Sequence, residues 1–181
     1  MTKKEIKNRV KELLASGVAK AEVFKQLQNQ GVNDNKLAFF IAIYADPVRC
    51  SEHDGKVNTL VTLMFVLAFI GFLYGWMLGK EVGAPLLIAM IAGSIPLAFA
   101  FGFYRNAAGA YMTYIILQIA GISRNFREWS ADFAAEPVVT GISIAVTAGL
   151  FFYVIYVQSK LFPDLVLFSP KKVKGQYVFT D

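Results

Sequence analysis

Hydrophobic residues along this chain change from a sparse helical spacing near the amino terminus to long, nearly unbroken runs further on. In residues 1–45, apolar side chains recur every three to four positions, which is the period of an amphipathic helix. Four later segments approach or exceed the roughly 20 apolar residues that a helix needs to cross about 30 Å of hydrocarbon. They cover about residues 57–78, 82–104, 106–123 and 137–157. The pattern predicts an all-α integral membrane protein with four transmembrane helices in residues 51–157.

The amino-terminal pattern predicts a small three-helix module, which we place in residues 1–50. Thr2 and Glu5 have the spacing of a capping box, in which two side chains satisfy free backbone amides at a helix start. Gly17 stands where the first helix would end, and Asp34 is a candidate cap for the third. Because so short a segment buries only a small hydrophobic core, we expect the module to be stabilised by contact with the membrane part or with a partner.

The third apolar segment is the shortest of the four. Its length of about 18 residues corresponds to roughly 27 Å of helix, slightly less than the hydrocarbon thickness. It crosses the membrane only if the flanking Arg105 and Arg124 extend their side chains outward to the headgroups. The alternative is a re-entrant segment, with Arg105 lining a cavity.

The distribution of basic residues favours four crossings with both termini in the cytoplasm. In that topology the three cytoplasmic segments carry 10, 1 and 4 of the 18 lysines and arginines, as the positive-inside rule requires. Without the third crossing, the four lysines of the carboxyl-terminal segment, residues 158–181, would face outward. We therefore expect Arg105 in a cytoplasmic turn and residues 158–181 as a short, basic cytoplasmic tail.

Composition agrees with a membrane protein and argues against catalytic or metal chemistry. The chain is 56% hydrophobic and 17% charged, whereas soluble domains average about 45–50% and 25%. Its one cysteine, Cys50, and one histidine, His53, fall together in "CSEHD". A zinc site needs three or four ligands, so a solvated linker is the favoured interpretation of this stretch. We predict no metal, no cofactor and no enzymatic activity.

The amino-terminal stretch also bears on localisation and on nucleic acid. The first 55 residues are polar, without the apolar run and cleavage site of a secretory signal peptide, so we expect the first apolar segment to act as signal and anchor. The sequence has no N-x-S/T sequon, which fits a bacterial inner membrane. The "NQGVND" stretch is spaced like a helix-turn-helix, but the helix that would read DNA has no arginine. We predict no nucleic-acid partner.

Two features of the apolar segments are candidates for helix packing. Gly71, Gly75 and Gly79 recur every four residues, which forms a groove where another helix backbone can approach closely. This face would support either a homo-oligomer or, as we favour, packing against another helix of the same chain. Gln118 places an amide in the third segment, where it needs a hydrogen-bond partner, and is a candidate interhelix contact.

The stretch "RNFREWSADFAAEP" is the richest of the predicted outer loops in charged and aromatic residues. Tryptophan and arginine often anchor protein interfaces, so this loop is a candidate partner-binding site. The candidate residues are Arg124, Arg127, Glu128, Trp129 and Asp132. The alternative is an interfacial aromatic belt with solvated charges. In the tail, "GQYVF" alternates like a strand, which predicts that it folds onto the amino-terminal module or onto a partner.

The overall plan resembles that of small bacterial inner-membrane proteins that act by binding, including accessory subunits and immunity proteins against membrane-directed toxins. The predicted spans contain no acidic residue, lysine or arginine, whereas ion-coupled transporters usually bury such groups along their pathway. We therefore predict a non-enzymatic membrane protein that lies in lipid and binds another protein. A small oligomeric channel or transporter is the alternative, and an enzyme acting on lipid is the third class.

Overall fold

The computed structural model describes residues 2–180, except for the side chains of residues 122–135. The helices are α1 (Lys3–Ala15), α2 (Lys20–Leu27), α3 (Asp34–Ala42), α4 (Pro47–Glu52), α5 (Asp54–Glu81), α6 (Pro85–Tyr104), α7 (Ala108–Ala135) and α8 (Pro137–Leu161). The strands are β1 (Leu165–Val166), β2 (Ser169–Pro170), β3 (Lys172–Val173) and β4 (Gln176–Tyr177). The chain forms two compact units. The first unit combines Met1–Cys50 with Gln158–Asp181, and the second unit is Ser51–Val157.

Helix starts in the first unit follow local capping chemistry. The capping box of α1 is confirmed, since the backbone amide of Glu5 donates to Thr2 Oγ1 at 3.3 Å and that of Thr2 donates to Glu5 Oε2 at 2.8 Å. The expected cap of α3 is wrong by one residue. Asn33 is the cap, because its backbone is extended and its side chain accepts from the amide of Asn35 at 2.8 Å, whereas Asp34 is already helical.

The "CSEHD" stretch was expected to be a linker, but its first residues belong to the short helix α4. Asp46 starts this helix by accepting a hydrogen bond from the amide of Val48 at 2.9 Å. Pro47 occupies the first helical position, where proline is favoured because its backbone angle suits a helix and its missing amide is not needed.

The core of the first unit joins one apolar face from each of the first three helices. Its buried residues are Ile6, Val10, Leu14, Val23, Leu27, Leu37 and Ile41. The tail adds to this core. Phe179 packs against it, and the rings of Tyr177 and Phe179 lie 5.3 and 5.6 Å from the ring of Phe24. The sequence left two surfaces open for the tail, the amino-terminal module or a partner. In the structure the tail packs on the amino-terminal helices.

The tail consists of two antiparallel hairpins that follow α8 directly. In the first hairpin, Leu165 pairs with Pro170 and Val166 with Ser169. In the second, β3 and β4 pair in the same manner. Both hairpins therefore close through loops of only two residues, 167–168 and 174–175, and the backbone at the start of each loop is left-handed.

In the second unit, α5, α6 and α8 are long and apolar enough to cross a membrane. In the part of the chain that the structure describes, the protein is thus mainly helical with three candidate membrane-spanning helices. The described apolar part of α7 is shorter, Ala108–Gly121. The expected loop that begins near residue 124 is not present, because α7 continues as a helix to Ala135. The sequence offers neither glycine nor proline between Gly121 and Pro137, so no strong helix breaker acts there.

Candidate functional site

The glycine face of α5 lies directly against the backbone of α6. A Cβ atom added at Gly71 would lie 3.1 Å from the carbonyl oxygen of Ala92, and one at Gly75 would lie 2.8 Å from that of Ile88. At Gly79 an added Cβ would overlap the backbone of Pro85. Glycine has no side chain that would hold the two backbones apart. Their close approach is favourable because it increases van der Waals contact between the helices in lipid. In the described structure the face is therefore covered by α6 of the same chain.

Gln118 makes its described hydrogen bond within its own helix. Its Nε2 donates to the hydroxyl of Tyr114, one turn earlier, at 3.0 Å. Its side chain also lines a cavity of about 220 Å³ together with residues of α5 and α6, among them Met64 and Phe99. The ring of Phe99 lies 5.2 Å from that of Tyr114 in an edge-to-face arrangement, a favourable aromatic geometry. The contact between α6 and α7 at this level is thus largely aromatic.

The other side of the α5–α6 hairpin carries a long open groove. Two cavities of about 510 and 480 Å³ share the side chains of Phe65 and Leu97, so they are continuous along the hairpin. One end of the groove is more polar because it is lined by Asn58, Thr62 and Tyr104. The remaining lining is mostly apolar, which suits hydrocarbon chains.

A buried ion pair joins the two segments that make up the first unit. Lys20, the first residue of α2, places its Nζ 2.6 Å from Oδ2 of Asp164 in the tail. The side chain of Asp164 is completely buried and that of Lys20 is 8% exposed. The other carboxylate oxygen accepts a hydrogen bond from the amide of Thr180 at 2.6 Å. One side chain, Asp164, therefore fixes both α2 and the end of the tail.

The residues around Cys50 offer little reactive chemistry. Burial, and secondarily the negative charge of Asp46, raises the pKa of the Cys50 thiol above its ordinary value. A raised thiol pKa lowers the thiolate fraction near neutral pH, and the thiolate is the nucleophile and metal ligand. Among the residues that the structure describes, no group of three or more His, Cys, Asp or Glu side chains is arranged to hold a metal ion.

The predicted partner-binding residues lie outside the described side chains. Arg124, Arg127, Glu128, Trp129 and Asp132 all fall in the carboxyl-terminal part of α7, so their grouping stays a prediction. The ion pair of the first unit was missed by the sequence analysis. Lys20 and Asp164 are 144 positions apart, and neither stands in a motif that marks it as buried. The local signal in the sequence was the strand-like alternation in the tail. It predicted that the tail folds onto another surface, but it did not indicate which residues form the ion pair.

The described residues thus form a mainly helical protein with three candidate membrane-spanning helices, and its two chain ends fold together into one unit. No protein-family model, no curated protein and no solved structure matches the chain.

Proposed function

We propose that this chain is a non-enzymatic, multi-pass protein of a bacterial inner membrane that binds another protein through its first unit. The observation that carries the proposal is that both chain ends build one folded unit with its own core. A folded unit of this kind, in a chain that also carries apolar spans, suits a protein that recognises a partner, as an accessory subunit or an immunity protein would. The alternative is a small oligomeric channel or transporter.

The shared unit supports an even number of crossings. Three crossings would leave the two chain ends on opposite sides of the membrane, where Lys20 and Asp164 could not pair. A fourth crossing by α7 makes the number of crossings even, so both chain ends lie on the same side of the membrane. Its 28 residues give a helix of about 42 Å, so the helix as a whole is long enough even though its apolar part is short. Arg105 then lies in a cytoplasmic turn between α6 and α7.

The charge of the first unit supports a cytoplasmic position for both chain ends. Residues 1–50 and 158–181 together hold 13 lysines and arginines and 7 acidic residues, a net charge of +6, whereas the rest of the chain has 5 and 6. Basic segments are retained on the cytoplasmic side of bacterial inner membranes. The chain's entire positive excess thus belongs to the unit that we place in the cytoplasm.

Cysteine labelling tests this topology directly. In a Cys50→Ser background, single cysteines are introduced as Lys80→Cys in the last turn of α5, Glu136→Cys between α7 and α8, and Lys172→Cys in the tail. All three positions are exposed. A membrane-impermeant maleimide is expected to label the first two from outside the cell and the third only after permeabilisation. Labelling of Glu136→Cys and Lys172→Cys from the same side would contradict the four-crossing topology.

The exposed side of α1 is the surface that we propose for the partner. Lys3, Lys7 and Lys11 recur every four residues, so they form a row along α1 beside its buried face, and all three are exposed. An acidic partner surface would complement this row of lysines, because opposite charges favour encounter and fix orientation.

Photo-crosslinking in membranes of the native host tests the binding function. A benzophenone is attached at Lys7→Cys in the Cys50→Ser background, and adducts are identified by mass spectrometry. We expect one discrete protein adduct, reduced roughly tenfold by Lys3→Glu with Lys11→Glu, which corresponds to about 1.4 kcal/mol of lost affinity. The same probe at Lys80→Cys is the matched control and should give no such adduct.

The channel alternative has a separate readout. The purified protein is reconstituted into liposomes that contain an ion-sensitive dye, without any partner. Ion flux that rises with protein density, together with no adduct at position 7, would overturn the binding function in favour of conduction.

A further inference from the structure

The first hairpin of the tail ends in an exposed apolar tip, which we define as residues 166–168. Val166, Leu167 and Phe168 are 55, 42 and 38% exposed, although the preceding Leu165 and Asp164 are buried. The second hairpin, of identical loop length, places Lys174 and Gly175 in its loop instead. The two-residue loops of the two consecutive hairpins thus differ, because the first is apolar and the second is polar.

The backbone of the hairpin tip is as unusual as its side chains. Leu167 is the first loop residue and has a φ of +53°, a left-handed conformation in which a two-residue turn favours glycine or asparagine. A leucine there is strained because its Cβ approaches the following carbonyl oxygen. Leucine is therefore unfavourable at this position on both backbone and solvation grounds. Contact with apolar surroundings would offset both costs, and such local strain often marks a functional contact.

A buried hydrogen bond fixes where the tip lies along α8. The side chain of Gln158, which is 2% exposed, donates from Nε2 to the carbonyl oxygen of Leu167 at 2.9 Å. Gln158 directly follows Val157, the last residue of the apolar run of α8, and α8 is a candidate membrane span. Leu167 is thus held at the level where that run meets polar residues.

We propose that the hairpin tip inserts into the boundary between headgroups and acyl chains of the bilayer that α8 crosses. Leu167 and Phe168 contact acyl chains, as the apolar residues of interfacial anchors do. The exposed Lys160 and Lys171 precede and follow the hairpin and supply positive charge for the phosphate groups of anionic lipids. The tip anchors the first unit to the membrane surface whether or not a protein partner is bound. It does so on either side of the membrane, so this inference does not depend on the proposed topology.

Depth-dependent quenching tests this contact in the full-length protein. In the Cys50→Ser background, Phe168→Cys is labelled with an environment-sensitive nitrobenzoxadiazole dye and reconstituted into phosphatidylcholine–phosphatidylglycerol vesicles. Interfacial anchors lie about 5–10 Å into the headgroup–acyl boundary, so lipids brominated high on the acyl chain should quench the dye roughly twofold. Lys174→Cys, in the polar loop of the second hairpin, is the matched control and should be unaffected.

A second variant separates lipid contact from a role in folding. Leu167→Gly suits the left-handed backbone and removes the apolar side chain, so the first unit should stay folded while quenching at position 168 falls. A dye at position 168 that is water-exposed would overturn the proposal. So would a dye that is shielded but unquenched, because a protein surface would then cover the tip. Equal quenching at positions 168 and 174 would also overturn it, because the contact would not be specific to the apolar tip.

Discussion

The Asp164→Asn substitution is expected to destabilise the first unit by about 3–5 kcal/mol, the usual cost of removing one partner from a buried ion pair. The amide that replaces the carboxylate keeps the shape of the side chain and an acceptor for the amide of Thr180. It removes the negative charge that lies 2.6 Å from Lys20 Nζ, and that ammonium is 8% exposed. Because small domains are stable by only about 5–15 kcal/mol, the loss should be visible as partial unfolding.

Hydrogen exchange of the full-length protein in detergent provides the measurement. Amides of α1, α2 and α3 should lose protection together, since the tail contributes Phe179 to their shared core. Glu12→Gln is the matched control because it breaks an exposed pair, Arg9–Glu12 at 3.2 Å, for which about 0–1 kcal/mol is typical. If Asp164→Asn costs no more than this control, the buried pair does not hold the tail.

The double substitution Lys20→Met with Asp164→Leu should be milder than Asp164→Asn alone. Replacing both partners of a buried pair with apolar residues removes the cost of keeping charge out of water. The same exchange experiment should then show recovered protection in α2. A double variant as unstable as Asp164→Asn would show that losing the acceptor for the Thr180 amide costs as much as leaving Lys20 unpaired.

A second large effect is expected at Gly75, where even a methyl group has no space. Its added Cβ would lie 2.8 Å from the carbonyl oxygen of Ile88 and 2.9 Å from Cα of Ala89, and backbone atoms cannot swing aside as a side chain can. Gly75→Ala should destabilise the α5–α6 contact by about 1–3 kcal/mol, which is typical of overpacking, and Gly75→Leu by more.

Unfolding of the purified protein in mixed micelles with rising dodecyl sulfate measures this effect. Gly149→Ala in α8 is the matched control, since an added Cβ there meets nothing within 4 Å and alanine favours helix. Oligomer size should be followed on the same samples. Dissociation of an oligomer by Gly75→Ala without loss of helix-pair stability would indicate that the glycine face joins two copies of the chain.

Local features of the first unit could be read from sequence because their causes lie within a few residues. The capping box of Thr2 and Glu5 and the turn after α1 at Gly17, whose φ is +84°, depend only on neighbouring backbone. The start of α3 was misplaced by one residue because Asn33 and Asp34 are both good caps and only the backbone angles distinguish them. The length of α7 was misjudged because charges were taken to mark a loop, although charged residues also form helices.

Length and hydropathy alone determined that this chain is a membrane protein, because crossing hydrocarbon requires long apolar helices whatever they pack against. Only the tertiary structure decided which surfaces meet. The glycine face of α5 fits a second copy or a neighbouring helix equally well, and the choice of α6 depends on backbone distances. Lys20 and Asp164 look like ordinary surface residues, yet the fold buries them together across 144 positions. Burial and pairing depend on how distant segments come together, so no local pattern could have revealed them.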